Sequence, residues 1–414
     1  MLPQNMGSET NIKLPFSFVF FSLIALVLSQ ILLLLKGHLM VDGSFRIPAI
    51  WSSAHLLVLG WALMAAMGAM YQLVPVAFLT NIWNEKFGFF QFLITAAGIA
   101  TFSGMLYWSP QRALIPGILT LLGILMFLFQ MFMTLKRQAK PTILTAFVGS
   151  ALVCLFITIF MGITLIYCLK TGIGIEYYQV IFKTHLLFGL TGWFTLLIFG
   201  FSYKMVPMFS LSHGFPMVHA RYVYGMYVSG LIITMISFST NNHVLLKMGF
   251  FLLLAGFSVF SWHIKIVIKK RLKKKLDKPF TFALVAIGFG NAIHFAAFIL
   301  LWTSSISTLA ATLIYSYILL WIVLSIVSYL YKIVPFLWWT YKYSKKIGKS
   351  KVPSLKEMMN EGIVFPVFSL FIAAVLIVFW GLIFKIAILF NTGQFILSIL
   401  FIIIALSILS VLKK

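Results

Sequence analysis

Apolar runs of about twenty residues follow one another along almost the whole chain, separated by short polar segments, and each is long enough to cross a hydrocarbon layer as a helix. The pattern predicts twelve spans, over residues 14–35, 52–79, 89–108, 113–135, 142–169, 180–203, 222–239, 244–268, 280–302, 308–331, 364–384 and 395–411. Alternation with a period of two is weak, and glycine and proline are too sparse for a membrane β-barrel. The first apolar run exceeds the core of a signal peptide and no small-residue cleavage site follows it, so it reads as the first span.

Within this pattern one phrase recurs. Trp61, Gly68, Tyr71, Val74 and Pro75 keep the same offsets as Trp193, Gly200, Tyr203, Val206 and Pro207. Trp321, Ser328, Tyr331, Val334 and Pro335 form a third copy, with serine in place of glycine. The copies of W-x6-[GS]-x2-Y-x2-V-P fall in spans two, six and ten. They predict three repeats of four spans, roughly residues 14–140, 141–279 and 280–414, within one transmembrane domain. The expected fold is an all-α polytopic membrane protein, a pseudo-threefold bundle whose inner ring includes spans two, six and ten. Each proline is expected to end its helix at the membrane face, where no buried hydrogen bond is lost.

Composition agrees with this reading. The 414 residues are 62% hydrophobic and 9% charged, with a mean hydropathy of +1.07, which is not the composition of a soluble protein. The net charge of +24 points to basic loops on one membrane face rather than to nucleic acid. Those loops follow the even-numbered spans: 24 of the 31 Lys and Arg lie on that side. The chain is therefore expected to sit in the cell membrane with both termini cytoplasmic. Cys154 and Cys168 are fourteen residues apart in one span, about 21 Å along a helix, so they cannot form a disulfide with each other.

Candidate chemistry rests on histidine. His38, His213, His219 and His243 fall in predicted loops and His263 near a membrane face, so surface roles are expected for all five. His55, His185 and His294 fall within spans, where an imidazole is costly unless it meets a partner or a cofactor. The seven acidic residues all fall in loops or tails, which removes the ligands of a di-iron carboxylate site. No CxxC or HxxxH pair suggests structural zinc. Haem needs only one or two axial imidazoles and apolar walls, and is the expected cofactor, with copper a weaker candidate. His55 lies six residues before Trp61, whereas His185 lies eight before Trp193. At 100° per residue they project from repeat faces about 160° apart, and the expectation is that they point into different pores. Tyr315 holds the place in span ten that His55 holds in span two, and joins the three histidines as a candidate cofactor-binding residue.

Twelve spans in three arcs, an outer-leaflet histidine on span two, a histidine on span six and Tyr-x-x-Val-Pro closing the inner helices together resemble subunit I of the haem–copper oxidase superfamily. The likeness is nearest to C-type oxidases, nitric oxide reductases and NnrS-like proteins. The resemblance implies that His55 is an axial ligand of a low-spin haem and His185 a ligand of copper or iron. This sequence departs from the family pattern in having no histidine in spans seven and ten and no buried acidic residue, so a complete binuclear centre is not assembled. The function expected is haem binding in respiratory or nitrosative-stress physiology: gas sensing, haem or copper handling, or electron transfer. Expected partners are the lipid bilayer, respiratory or assembly proteins, and quinone or nitric oxide. The alternatives are a quinol- or cytochrome-linked oxidoreductase, a transporter of a hydrophobic substrate, and a scaffold.

Overall fold

The computed structural model describes residues 10–303 and 306–414, and among these the chain is helical with no β-strand. Twelve helices are long and apolar enough to cross a membrane. They are α1 (Lys13–Met40), α2 (Pro48–Phe78), α3 (Glu85–Trp108), α4 (Leu114–Leu135), α5 (Ile143–Thr171) and α6 (Ile175–Ser210). The second half holds α7 (Val218–Thr240), α8 (His243–Lys269), α9 (Lys278–Leu300), α10 (Leu309–Lys346), α11 (Val364–Ile383) and α12 (Ala387–Lys413). Each overlaps one expected span. Of the acidic residues, Glu85 and Glu176 begin α3 and α6 rather than lying in loops, where their charge complements a helix N-terminus. Glu9 lies outside the described residues. Cys154 and Cys168 are free and buried.

Helices α2, α6 and α10 form the interior: 78%, 89% and 61% of their most apolar windows are buried, against 28–50% for the other nine. A small apolar cavity of about 50 Å³ is lined by all three, among them Ala66, Phe201 and Tyr329. Around this centre the packing recurs. The helices of α3/α4, α7/α8 and α11/α12 pack as pairs, and α1, α5 and α9 each lie along the interior helix that follows them. Helix α4 packs on α5, α8 on α9, and α12 on α1, which closes the outer ring.

All three interior helices contain a π-helical stretch: Leu56–Leu63, Leu187–Phe194 and Tyr317–Val323. Each stretch holds the tryptophan of the recurring phrase, and Trp61, Trp193 and Trp321 are buried. Such wide turns inside an α-helix concentrate at functional sites. The prolines behave differently from the expectation. Pro75, Pro207 and Pro335 lie inside their helices, which run on to Phe78, Ser210 and Tyr343. A proline removes one N–H but leaves the following turn free to form, and the stop comes later. Leu79 and Leu211, in left-handed conformation at φ 51° and 55°, end the first two.

Candidate functional site

A cavity of about 190 Å³ opens between the first and second sets of four helices. Its walls are almost wholly apolar, supplied by α2, α3, α4, α5 and α6, with Ile318 alone from α10. His55 and His185 both line it. Their ring centres are 6.4 Å apart and their planes differ by 29°.

This overturns the expectation that the two histidines face different pores. The opposed projection deduced from the Trp offsets leads into one shared gap rather than into two pores. Helices α2 and α6 are neighbours in a ring, so a side chain leaving one on its leading side and a side chain leaving the other on its trailing side enter the same gap. Tyr315 supplies the matching test. It leaves α10 on the face that His55 uses on α2, and so enters the gap between the third and first sets. There its hydroxyl donates to Gln394 Oε1 at 3.1 Å, and Gln394 Nε2 donates to Gln30 Oε1 at 2.9 Å.

Each cavity imidazole is fixed through Nδ1. His55 Nδ1 lies 2.7 Å from the carbonyl of Trp51, one turn back in its own helix, and His185 Nδ1 lies 2.9 Å from the carbonyl of Thr158 on α5. A carbonyl only accepts, so both Nδ1 atoms carry the proton and both Nε2 atoms hold a free lone pair. No hydrogen bond engages either Nε2 among the described residues. Phe102 sets its ring edge-on to His55 at 5.3 Å. Gly162 makes room for His185: a Cβ there would stand 3.1 Å from Cε1 of the ring. The wall hydroxyls of Thr158 and Thr120 are turned back on the carbonyls of Cys154 and Pro116. Two imidazole Nε2 atoms are therefore the open donors to a metal in an otherwise apolar chamber.

The structure sets His294 apart from this pair. It is buried between the second and third sets, with Nδ1 on the carbonyl of Gly290 at 2.8 Å and Nε2 accepting from the Tyr227 hydroxyl at 3.1 Å. Nearby, Tyr317 and Thr195 share a hydrogen bond of 2.6 Å and Trp321 Nε1 donates to Thr195. That gap is filled by aromatic and polar side chains where the first is open. His263, expected at a surface, is also fully buried. Its ring lies 3.2 Å from the Tyr203 hydroxyl and 2.9 Å from the carbonyl of Pro216. The helix end that hydropathy places at a membrane face is covered here by the segment between α6 and α7.

Among the described residues no cluster of three or more His, Cys, Asp or Glu could hold a metal ion. No protein-family model matches this chain, and no curated protein matches its sequence.

Proposed function

We propose that this protein is a haem-binding membrane protein in which His55 and His185 would together hold one haem through their Nε2 atoms, and that its task is electron transfer. One observation carries the reading, the spacing of the two rings. With metal–nitrogen bonds of about 2.0–2.1 Å, two imidazoles that face one metal ion from opposite sides stand with centres roughly 6 Å apart, and the observed separation is 6.4 Å.

The other residues fit the same group. The Trp51 and Thr158 carbonyls select the Nδ1–H tautomer and hold each Nε2 as the ligand atom, as second-shell partners of metal-bound imidazoles do. Leu59, Phe102, Ile124, Ile159, Ile163 and Leu190 give the chamber apolar walls, and Gly162 and Gly189 let the backbone come close. Bound there, haem would supply a one-electron iron couple. Two protein ligands leave no open coordination position for a diatomic gas, which favours electron transfer over gas sensing. The absence of histidine from α10 separates this arrangement from that of the oxidases the chain resembles, in which span ten carries haem ligands.

By the charge of the loops, the chamber lies towards the outer face of a cell membrane with both termini cytoplasmic, so the electron partner is reached from that side. The test is a reduced-minus-oxidised visible spectrum with pyridine haemochrome quantitation on the purified protein. Stoichiometric haem with a six-coordinate low-spin spectrum is expected. His55→Ala and His185→Ala are each expected to lose that spectrum, and His294→Ala to keep it. Colourless protein from haem-supplemented cells would overturn the reading.

A further inference from the structure

At the mouth of the chamber stand Tyr178 and Phe182, one turn apart on α6, with rings parallel to within 5°. Arg46, from the connection between α1 and α2, places its guanidinium carbon 4.3 Å from the Phe182 ring centre. Its Nη1 donates to Gln179 Oε1 at 3.3 Å. No carboxylate pairs with Arg46 among the described residues, whose ion pairs all involve Lys273 or Lys332. An exposed cation is thus fixed over the rim of an apolar chamber, by contacts that leave most of its five N–H donors free.

From this we infer that Arg46 is an ionic subsite for the chamber's occupant: it receives a carboxylate arm of the ligand at the mouth while the apolar body lies inside. The inference rests on the haem reading above, and under it the arm is a propionate. The guanidinium fork matches a carboxylate in two parallel hydrogen bonds, and the face of Phe182 holds the fork in place. Gln179 keeps the arginine turned towards α6, so that the arm docks between the first two sets of helices.

The experiment uses two forms of the ligand. Haemin and haemin dimethyl ester, in which the arms carry no charge, are titrated into haem-stripped wild-type protein and into Arg46→Gln and Arg46→Lys, with binding read from the Soret band. Arg46→Gln is expected to weaken haemin about tenfold, the loss of one or two charge-assisted hydrogen bonds, and to leave the ester unchanged. Arg46→Lys is expected to fall between, because it keeps the charge without the fork. The bound haem of Arg46→Gln should also show a lower midpoint potential, since a cation beside the cofactor favours its reduced form. Equal haemin affinity in wild type and Arg46→Gln would overturn the inference and leave the haem reading standing. A wild-type protein that takes up neither form would overturn both.

Discussion

His185 is held by a single carbonyl on a neighbouring helix, and the space beside its ring is kept by a glycine. Gly162 and Thr158 are one turn apart on α5, so one face of that helix both anchors Nδ1 and makes room for the ring. A larger side chain at 162 must displace the imidazole, because the nearest atoms belong to the ring itself. Gly162→Val is therefore expected to lower haem occupancy about tenfold and to convert the remainder from a six-coordinate to a five-coordinate spectrum, with His55 as the surviving ligand. An unchanged Soret band in that variant would show that His185 is not a ligand. The imidazoles themselves were legible in the sequence, since buried histidines in apolar helices stand out. Thr158 and Gly162 were not: a backbone acceptor carries no residue-type signal, and a glycine in a membrane helix has many uses. The meeting of His55 with His185 was half legible. The Trp offsets give the angle between the two faces, but only the ring order of α2 and α6 says that opposed faces converge.

At the scale of the helix, α3/α4 and α7/α8 each bring a glycine against a threonine. A Cβ at Gly123 of α4 would fall 2.7 Å from the Thr95 backbone of α3, and one at Gly249 of α8 would fall 2.8 Å from the Thr234 nitrogen of α7. Small residues let two backbones approach and gain dispersion contact where no hydrophobic effect drives helices together. Gly249→Leu should force α7 and α8 apart at a cost of about 1–3 kcal/mol, read as a lower unfolding midpoint in detergent. Because the pair is remote from the chamber, haem content of the surviving folded protein should not change, and a loss of haem without a loss of stability would contradict this account. Hydropathy made the twelve spans legible, since length and apolarity are what the membrane demands of each. It placed the end of α2 within one residue but stopped α6 and α10 short, at 203 and 331 rather than at Ser210 and Tyr343, because a proline at a membrane face looks like a stop. Pro75, Pro207 and Pro335 each lie three or more residues before the end, and the left-handed Leu79 and Leu211 that end α2 and α6 are not residues that sequence marks as stops. The π-helical stretches were not legible at all, since no residue pattern distinguishes them from the α-helix around them.

Over the whole molecule, three gaps separate the three sets of helices, and the first holds the chamber of His55 and His185. The gap of His294 and Tyr227 and the gap of Tyr315, Gln394 and Gln30 are filled by paired polar side chains, which locks those two interfaces while the first keeps its chamber. A second lock lies at the end of the bundle that carries Pro335. Lys332, within the third copy of the recurring phrase, meets Asp277 at 2.5 Å and Glu361 at 3.8 Å, and Asp277 also meets Lys273 at 2.7 Å. The cluster ties α10 to the segment before α9 and to the segment before α11. Burial pushes the Asp277 carboxyl up, but the hydrogen bonds and charges of Lys273 and Lys332 together outweigh it and leave the group below the ordinary aspartate value. A carboxyl whose folded value is depressed adds stability above its unfolded value and loses it as pH falls through the folded one. The cluster is thus expected to contribute about 1 kcal/mol at neutral pH, discounted for the part of each side chain that water reaches, and to lose it below about pH 4. Asp277→Asn removes the titrating group and keeps its shape. Thermal unfolding in detergent between pH 3 and 7 should show the variant less stable than wild type at pH 7, with the difference closing as pH falls. Parallel profiles over that range would mean that the ion cluster adds nothing and that packing alone holds α10 in place.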